Sequence, residues 1–201
     1  MTALQSVSRE TSERLELLES LIKKWNPKIN LVSKGSLADI YHRHILDSVH
    51  VFDLGELEQG VWCDLGSGGG FPGLVVAVMA KGAGYDYDLK LVESDGRKAA
   101  FLREAARQLE VGGTVINARI EEIASLSAGV ISARALGPLT LLCGYAARHL
   151  EEGGRALFPK GKSYPAEVSE ARVHWAFDLK VHPSKTDPDA AILELRNIQH
   201  V

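Results

Sequence analysis

The chain has 201 residues, 45% of them hydrophobic and 24% charged, with a formal net charge of −3. These values are typical of a globular protein with one domain, or one domain and a small appendage, and they disfavour a general nucleic-acid binder with a broad basic face. Two cysteines, Cys63 and Cys143, provide neither a disulfide framework nor a metal-ligand spacing, and no apolar run reaches the ~18 residues of a membrane span. We therefore expect a cytoplasmic protein without a signal peptide.

The first 55 residues carry a helical pattern. Apolar residues recur at three- and four-residue steps between charged ones, namely Leu15, Leu18, Leu21, Ile22 and Trp25. Pro27 is predicted to end this helix, and residues 26–34 to be irregular. A second helix is predicted over residues 37–49, with Ser36 as its N-cap. Two helices without an intervening strand indicate an N-terminal helical subdomain, residues 1–55.

From residue 61 onward, strands and helices alternate. The predicted strands are 61–65, 89–92, 114–117, 130–133 and 155–158, and the predicted helices are 74–80, 98–109, 139–150 and 165–174, with Gly153 and Gly154 ending the third helix. Residues 179–182 and 192–196 are predicted to form a closing antiparallel strand pair. This order predicts a Rossmann-like α/β fold over residues 56–201, with a doubly wound, mainly parallel sheet. A ligand would then bind beyond the carboxyl ends of the strands.

A glycine-rich turn joins the first strand to its helix. Residues 64–73 read Asp-Leu-Gly-Ser-Gly-Gly-Gly-Phe-Pro-Gly, in which Gly68, Gly70 and Gly73 satisfy G-x-G-x-x-G, while Gly66 precedes them. A lone match to this motif is weak, but here a strand precedes it and a helix follows it. Glycine allows a backbone to turn sharply and to approach a ligand closely. A turn without any ligand is disfavoured, because so many glycines cost chain entropy without packing against anything.

Two carboxylates distinguish between the possible cofactors. Asp64 ends the first strand, where it would repel a dinucleotide's pyrophosphate but suit the ammonium group of a methionine moiety. Glu93 ends the second strand, where a carboxylate accepts hydrogen bonds from the two ribose hydroxyls of an adenosine. Together they favour S-adenosylmethionine over a nicotinamide cofactor, so a methyltransferase is favoured over a dehydrogenase or a non-catalytic nucleotide-binding module.

Further motifs along nearly the whole chain carry a family resemblance. They are Trp25-Asn-Pro-Lys-Ile-Asn-Leu31, Arg43-His-Ile-Leu-Asp-Ser48, Val92-Glu-Ser94, Phe101-Leu-Arg103, Arg119-Ile-Glu-Glu122, Ser132-Ala-Arg-Ala135 and Lys160-Gly161. With the glycine turn, this set resembles the RsmG (GidB) family of 16S rRNA guanine-N7 methyltransferases. The resemblance implies a class I methyltransferase fold, S-adenosylmethionine as cofactor, and 16S rRNA or the small ribosomal subunit as partner. We expect a monomer.

The resemblance also implies site residues. It assigns cofactor binding to Gly66 and Phe71 in the turn, to Ile120 and Glu121 after the third strand, and to Arg134 after the fourth. For Glu121, the alternative is a solvated carboxylate at a helix start.

Candidates for gripping the target base are cationic or imidazole side chains. They are His44, Arg134 and Lys160, with Arg43 as a further cation. For His44, the alternative is a partly buried helix histidine paired with Asp47 or Ser48. Guanine N7 carries an unprotonated lone pair near neutral pH, so no general base is required and catalysis would depend on positioning. A small-molecule or protein methyltransferase on the same fold remains the alternative function.

Overall fold

The computed structural model describes residues 7–55 and 59–201, which form one mixed seven-stranded sheet with helices on both faces. The strands are β1 Gln59–Leu65, β2 Asp86–Val92, β3 Thr114–Ile116, β4 Ala128–Ser132, β5 Leu150–Lys160, β6 Trp175–Pro183 and β7 Ala191–His200. The α-helices are α1 Arg9–Ile29, α2 Asp47–Gly55, α3 Gly73–Ala83, α4 Gly96–Gln108, α5 Leu139–His149 and α6 Tyr164–Ala171.

The strands lie in the order β3-β2-β1-β4-β5-β7-β6. The first five are parallel, while β7 pairs antiparallel with β5 and β6 pairs antiparallel with β7. The predicted doubly wound sheet and its closing strand pair are therefore confirmed. Strands β2 and β3 lie on one side of β1, whereas β4 and β5 lie on its other side. The glycine turn follows β1 and therefore lies at this switch point.

Alternation along the strands sends side chains into two separate cores. Trp62 points into a cluster with α1, α3 and α4, whereas Cys63 and Leu65 point into a cluster with α5 and α6. The N-terminal helices share the first cluster with the sheet helices. The division into residues 1–55 and 56–201 stays a prediction. Among the described helices, none is long and apolar enough to cross a membrane.

Helix α1 is longer than predicted. Its N-cap is Ser8, whose side chain accepts a hydrogen bond from the Thr11 amide. The prediction that Pro27 ends this helix is wrong, because Pro27 lies inside its last turn. The helix instead ends at Ile29 with Asn30 as its left-handed C-cap, and the buried Asn26 Oδ1 accepts from the Val32 amide at 2.8 Å. That side-chain bond fastens the end of the helix to the chain beyond it.

The second predicted helix is divided into three segments. A 3-10 turn spans Lys34–Asp39, a π-helical segment spans Tyr41–Leu46, and α2 follows to Gly55. Ser36 lies inside the first segment and is not the N-cap, which is Ser33. Segments of π-helix are rare and occur often at functional sites. Here the π-helical segment carries His44.

The prediction that Gly153 and Gly154 end α5 is also wrong. The helix ends at His149, Leu150 is already extended, and both glycines lie within β5. Strand β4 pairs on both sides of them, Ala128 with Leu150 and Val130 with Arg155. Residues 151–154 therefore form a bulge in β5, between two stretches that pair with β4.

Candidate active site

A cavity of about 360 Å³ lies at the carboxyl ends of β1, β2 and β4. Among the predicted cofactor residues, its walls contain Gly66, Gly68, Phe71, Glu93, Ile120, Glu121 and Arg134. These residues are spread over almost 70 positions of the sequence and meet because parallel strands end at one edge of the sheet. The cavity is within the usual size range for small-molecule sites. Leu31 and Tyr145 also line it, and neither was predicted as a site residue from the sequence.

The glycine turn follows a path that side chains would block. Gly66 and Gly70 have φ values of 65° and 87°, in the left-handed region that favours glycine. A Cβ on Gly66 would lie 2.5 Å from Leu136 Cδ1, and one on Gly70 would lie 2.5 Å from Leu74 Cδ1. The turn therefore presents bare backbone to the cavity.

Asp64 lies beneath the turn and is fully buried, and it is not part of the cavity wall. Its Oδ1 accepts from Ser132 Oγ at 2.7 Å and its Oδ2 accepts from the Gly73 amide at 3.2 Å. The Trp62 indole N–H donates to Ser132 Oγ at 3.1 Å and completes a buried chain of hydrogen bonds. Burial raises the pKa of the Asp64 carboxyl to about 6, against the effect of these hydrogen bonds. Its contact with a ligand's ammonium group stays a prediction, since the structure uses its carboxylate to hold the turn.

Glu93 is buried and lines the cavity. Its Oε2 accepts from the Gly68 amide at 2.9 Å, and its Oε1 accepts from the Asp95 amide at 2.8 Å. A carboxylate oxygen accepts more than one hydrogen bond, so both oxygens keep capacity for a pair of vicinal hydroxyls. The same side chain that would read a ribose thus also fixes the glycine turn.

The far end of the cavity is formed by the segment after β3. Ile120 is buried and offers an apolar wall, while Glu121 is exposed. The Tyr145 hydroxyl donates to Glu121 Oε1 and holds the pKa of that carboxyl below its usual range. Glu121 thus lies exposed at the start of a short 3-10 helix, as the alternative expects, and also bonds to Tyr145, so its role in cofactor binding stays a prediction.

At the near end, Arg134 contacts two predicted site residues. Its Nη1 donates to His44 Nδ1 at 2.7 Å, and its guanidinium carbon lies 4.9 Å from the centre of the Phe71 ring. The His44 ring is 5.1 Å from the same ring. Burial lowers the pKa of Arg134 to about 10, partly offset by Asp47 and Asp64, so the guanidinium stays charged at neutral pH.

His44 is held as a neutral imidazole. Burial, followed by the charge of Arg134, lowers its pKa to about 4. Because arginine only donates, Nδ1 must accept and the ring proton must lie on Nε2. Nε2 is buried without a hydrogen-bond partner in the described part of the chain. Of the sequence alternatives, Ser48 does contact His44, but through the His44 backbone carbonyl, and the ring itself pairs with Arg134.

Lys160 is engaged in an ion pair. Its Nζ donates to the Gly137 carbonyl and to Glu167 Oε2, both at 2.7 Å, and its side chain is 10% exposed. Glu167 Oε2 also accepts from the Leu139 amide at 3.0 Å, at the start of α5. The pair therefore holds both ends of residues 137–139. Glu167 had no signal in the sequence, because nothing local links it to Lys160.

Two further cavities, of about 460 and 720 Å³, open beside the first one. The first cavity shares Arg134 and Ala135 with both of them, and the two also share Asp47 and Ala190. We call the two together the polar cleft. Lys160 lines its smaller part, and the exposed Arg43 lines its larger part together with His44.

Two features at this junction are not apparent from the sequence. Ala135 has a φ of 55°, a left-handed conformation that costs a non-glycine residue roughly 1–3 kcal/mol. Asp47 Oδ1 accepts from Ser184 Oγ at 3.1 Å and from Thr186 Oγ1, which ties the β6–β7 loop to the N-terminal segment.

Within residues 7–55 and 59–201, no group of three or more side chains is arranged to hold a metal ion.

Comparison with known proteins identifies close relatives and a shared fold. A family model described as rRNA small subunit methyltransferase G, GidB, matches residues 11–190. The chain is 50% identical to ribosomal RNA small subunit methyltransferase G of Ruegeria sp. over 97% of this chain and 95% of that protein. It is also 50% identical to the protein of that name from Paracoccus denitrificans, over 97% of this chain and 99% of that one.

Solved structures extend the similarity at the level of the fold. A putative class I S-adenosylmethionine-dependent methyltransferase from Listeria monocytogenes aligns with a TM-score of 0.64 at 13% identity, over 92% of this chain and 68% of that one. A SAM-dependent methyltransferase from Aquifex aeolicus aligns with a TM-score of 0.59 at 12% identity, over 90% and 97%.

Proposed function

The chain belongs to the rRNA small subunit methyltransferase G family, and from this premise we propose that it transfers the methyl group of S-adenosylmethionine to N7 of one guanine in 16S rRNA. The observation that carries the proposal is the junction at Arg134 and Ala135, where the first cavity meets the polar cleft. A methyl donor in the first cavity and a base in the cleft would meet at these two residues.

The residues of the first cavity fit the cofactor part by part. The bare backbone of the glycine turn and Phe71 would hold the methionine portion, and Glu93 would accept from the ribose hydroxyls. Ile120 and the Glu121 backbone would frame the adenine ring. When bound, S-adenosylmethionine supplies a methyl group on a positively charged sulfur, which is a strong electrophile.

The chemistry at guanine N7 needs no proton transfer. The attacking lone pair is already free near neutral pH, so the protein has to align the base and stabilise the developing charge distribution. His44 is poorly suited as a base, because its Nδ1 is occupied by Arg134 and its pKa is about 4. We assign it to orienting the Arg134 guanidinium.

Recognition of guanine requires a donor for O6 and an acceptor for the N1–H and N2–H groups. Arg134 is the donor at the junction, and Asp47 is the carboxylate that lines both parts of the polar cleft. Since N7 must face the methyl group, Arg134 would contact O6 alone rather than O6 and N7 together. Lys160 acts indirectly in this proposal, by holding the Gly137 carbonyl and so the segment that carries Arg134.

The test is mass mapping of 16S rRNA from a strain that lacks this gene. We expect one 7-methylguanosine to disappear, to return with the wild-type chain, and to stay absent with Arg134→Ala. If every 7-methylguanosine persists in the deletion strain, the proposal is wrong. Assays of the purified chain on naked 16S rRNA and on small subunits, with free guanosine and ribosomal proteins as controls, would separate an RNA substrate from the small-molecule or protein alternative.

We also infer that the protein acts as a monomer in the cytoplasm. Light scattering of the purified protein at working concentration is expected to give the mass of one chain, 21.8 kDa.

A further inference from the structure

One face of helix α5 is hydrogen-bonded to residues 120–123, which lie at the proposed adenine end of the first cavity. The Tyr145 hydroxyl donates to the Glu121 carboxylate, Arg148 Nη2 donates to the Ile123 carbonyl at 2.7 Å, and the His149 ring contacts the Ile120 carbonyl through Nε2 at 3.2 Å. These α5 residues are spaced at i, i+3 and i+4, which places them on one side of a helix. Three successive contacts therefore hold residues 120–123, a segment with only one 3-10 turn of its own.

His149 is the buried member of this group, with none of its surface exposed. A carbonyl oxygen only accepts, so Nε2 must carry the ring proton and donate to Ile120. Nδ1 is buried without a partner among the described residues, and burial lowers the pKa of the ring. A charged ring would need an acceptor at Nδ1, so the neutral ring with its proton on Nε2 is the form that fits this site.

The Ile120 carbonyl held by His149 belongs to the residue whose side chain lines the cavity. Its orientation fixes the next peptide bond, and hence the direction of the Glu121 amide N–H. That N–H lies close to the residue's own carboxylate, and turned towards a ligand it would be the donor suited to adenine N1, which is an acceptor. In hypoxanthine, by contrast, N1 carries a hydrogen and is a donor. An N–H held in this direction would therefore favour binding of adenine over hypoxanthine.

We propose that His149, supported by Arg148 and Tyr145, is a positioning residue that fixes the peptide between Ile120 and Glu121 and thereby makes the cofactor site selective for adenine. The inference rests on the proposed cofactor. It assigns α5 a role in ligand recognition without direct contact between His149 and the ligand. Of the three residues, Tyr145 alone lines the cavity.

The test is isothermal titration calorimetry with S-adenosylhomocysteine and with its inosine analogue, in which oxygen replaces the 6-amino group. We expect the wild-type chain to prefer the adenosine compound by about tenfold or more, since the analogue sets two donors against each other. His149→Leu is expected to weaken S-adenosylhomocysteine about tenfold and to reduce the preference to about threefold or less. His149→Gln, which can place an amide donor near the position of Nε2, is expected to restore much of the preference.

Control variants separate positioning from general destabilisation. Leu142→Ala removes a buried side chain from the same helix, and it should lower the melting temperature without changing the ratio of the two affinities. If His149→Leu does not fold, Tyr145→Phe and Arg148→Met test the same segment from more exposed positions, and each should reduce the preference by about twofold to fivefold. An unchanged ratio in all the folded α5 variants would overturn the inference. Failure of the wild-type chain to bind either compound would instead contradict the proposed cofactor.

Discussion

The two sides of the junction at Arg134 and Ala135 are built on different principles. On the cofactor side, carboxylates and backbone amides are matched: Glu93 accepts from two amides, and Asp64 accepts from a hydroxyl and an amide. Towards the polar cleft, Arg134, which also lines the first cavity, is a charged group in a partly buried position, and His44 keeps a buried nitrogen without a partner among the described residues.

The difference indicates how each side would work. The cofactor side is held in shape by its own hydrogen bonds, which suits recognition of a constant ligand with little reorganisation. The substrate side keeps a cation and a carboxylate, Arg134 and Asp47, at the wall of an open cleft. Groups of this kind contribute most when a reacting base excludes water from them. Substitutions on the two sides should therefore change different quantities.

The largest effect is expected from Arg134→Lys. Lysine keeps the charge but loses the planar guanidinium that contacts both His44 and Phe71. We expect the rate of methyl transfer to fall about 100- to 1,000-fold, with S-adenosylhomocysteine affinity changed less than about tenfold. Single-turnover transfer of a labelled methyl group and calorimetry measure the two quantities. A loss that fell mainly on cofactor affinity would remove the distinction between the sides.

A smaller effect, confined to affinity, is expected from Glu93→Ala. The substitution leaves the Gly68 and Asp95 amides without this acceptor and removes the proposed ribose contact. We expect binding of S-adenosylhomocysteine to weaken by about 1–3 kcal/mol, with a much smaller change in the single-turnover rate at saturating cofactor. Glu104→Ala is a matched control, since Glu104 is a helix carboxylate paired with Arg107. Unchanged affinity in Glu93→Ala would show that the ribose contact is misassigned.

Lys160→Met tests whether Lys160 affects methyl transfer indirectly, by holding residues 137–139 in place. It removes the bond to Gly137 and leaves the partly buried Glu167 carboxylate without its cation, while the Leu139 amide still donates to it. We expect a loss of about 1–3 kcal/mol of unfolding free energy and a roughly tenfold slower transfer. The double variant Lys160→Met, Glu167→Leu should recover part of the stability, because it removes the carboxylate left without its cation but also loses the bond from the Leu139 amide. A rate that fell 1,000-fold in a fully stable protein would instead indicate direct contact with RNA.

The smallest effect on activity concerns the pH dependence of His44. Its pKa in the folded protein is about 4, below the ordinary value of 6.5, so the unfolded chain takes up a proton first as the pH falls. The contribution of His44 to stability is therefore present above pH 6.5 and is lost as the pH falls towards 4. We expect NMR to show a neutral ring with Nδ1 unprotonated at pH 6, and transfer rates that do not follow a histidine titration between pH 6 and 8. A ring that titrates near 6.5 would contradict the contact with Arg134.

The sequence predicted most of the fold because its signals are local. The run from Asp64 to Gly73, with strands that end in carboxylates, predicted a nucleotide-like ligand at the switch point, and the cavity formed there. Errors occurred where contacts outside the local pattern decide the outcome. Pro27 lies inside the last turn of α1, beyond which Asn26 bonds to Val32, and Gly153 lies in a strand because β4 pairs on both sides of it.

The sequence by itself determined the order of strands and helices, the position of the glycine turn and, through its motifs, the family. These depend on side-chain periodicity and on the backbone freedom of glycine, which act between near neighbours. Only the tertiary structure decided which side chains become partners. Arg134 meets His44 across 90 positions, while Lys160 turns to Glu167 and away from solvent. The physical reason is that a buried polar group must find a hydrogen-bond partner among whatever the packed elements bring near it, and packing joins residues that the sequence keeps apart.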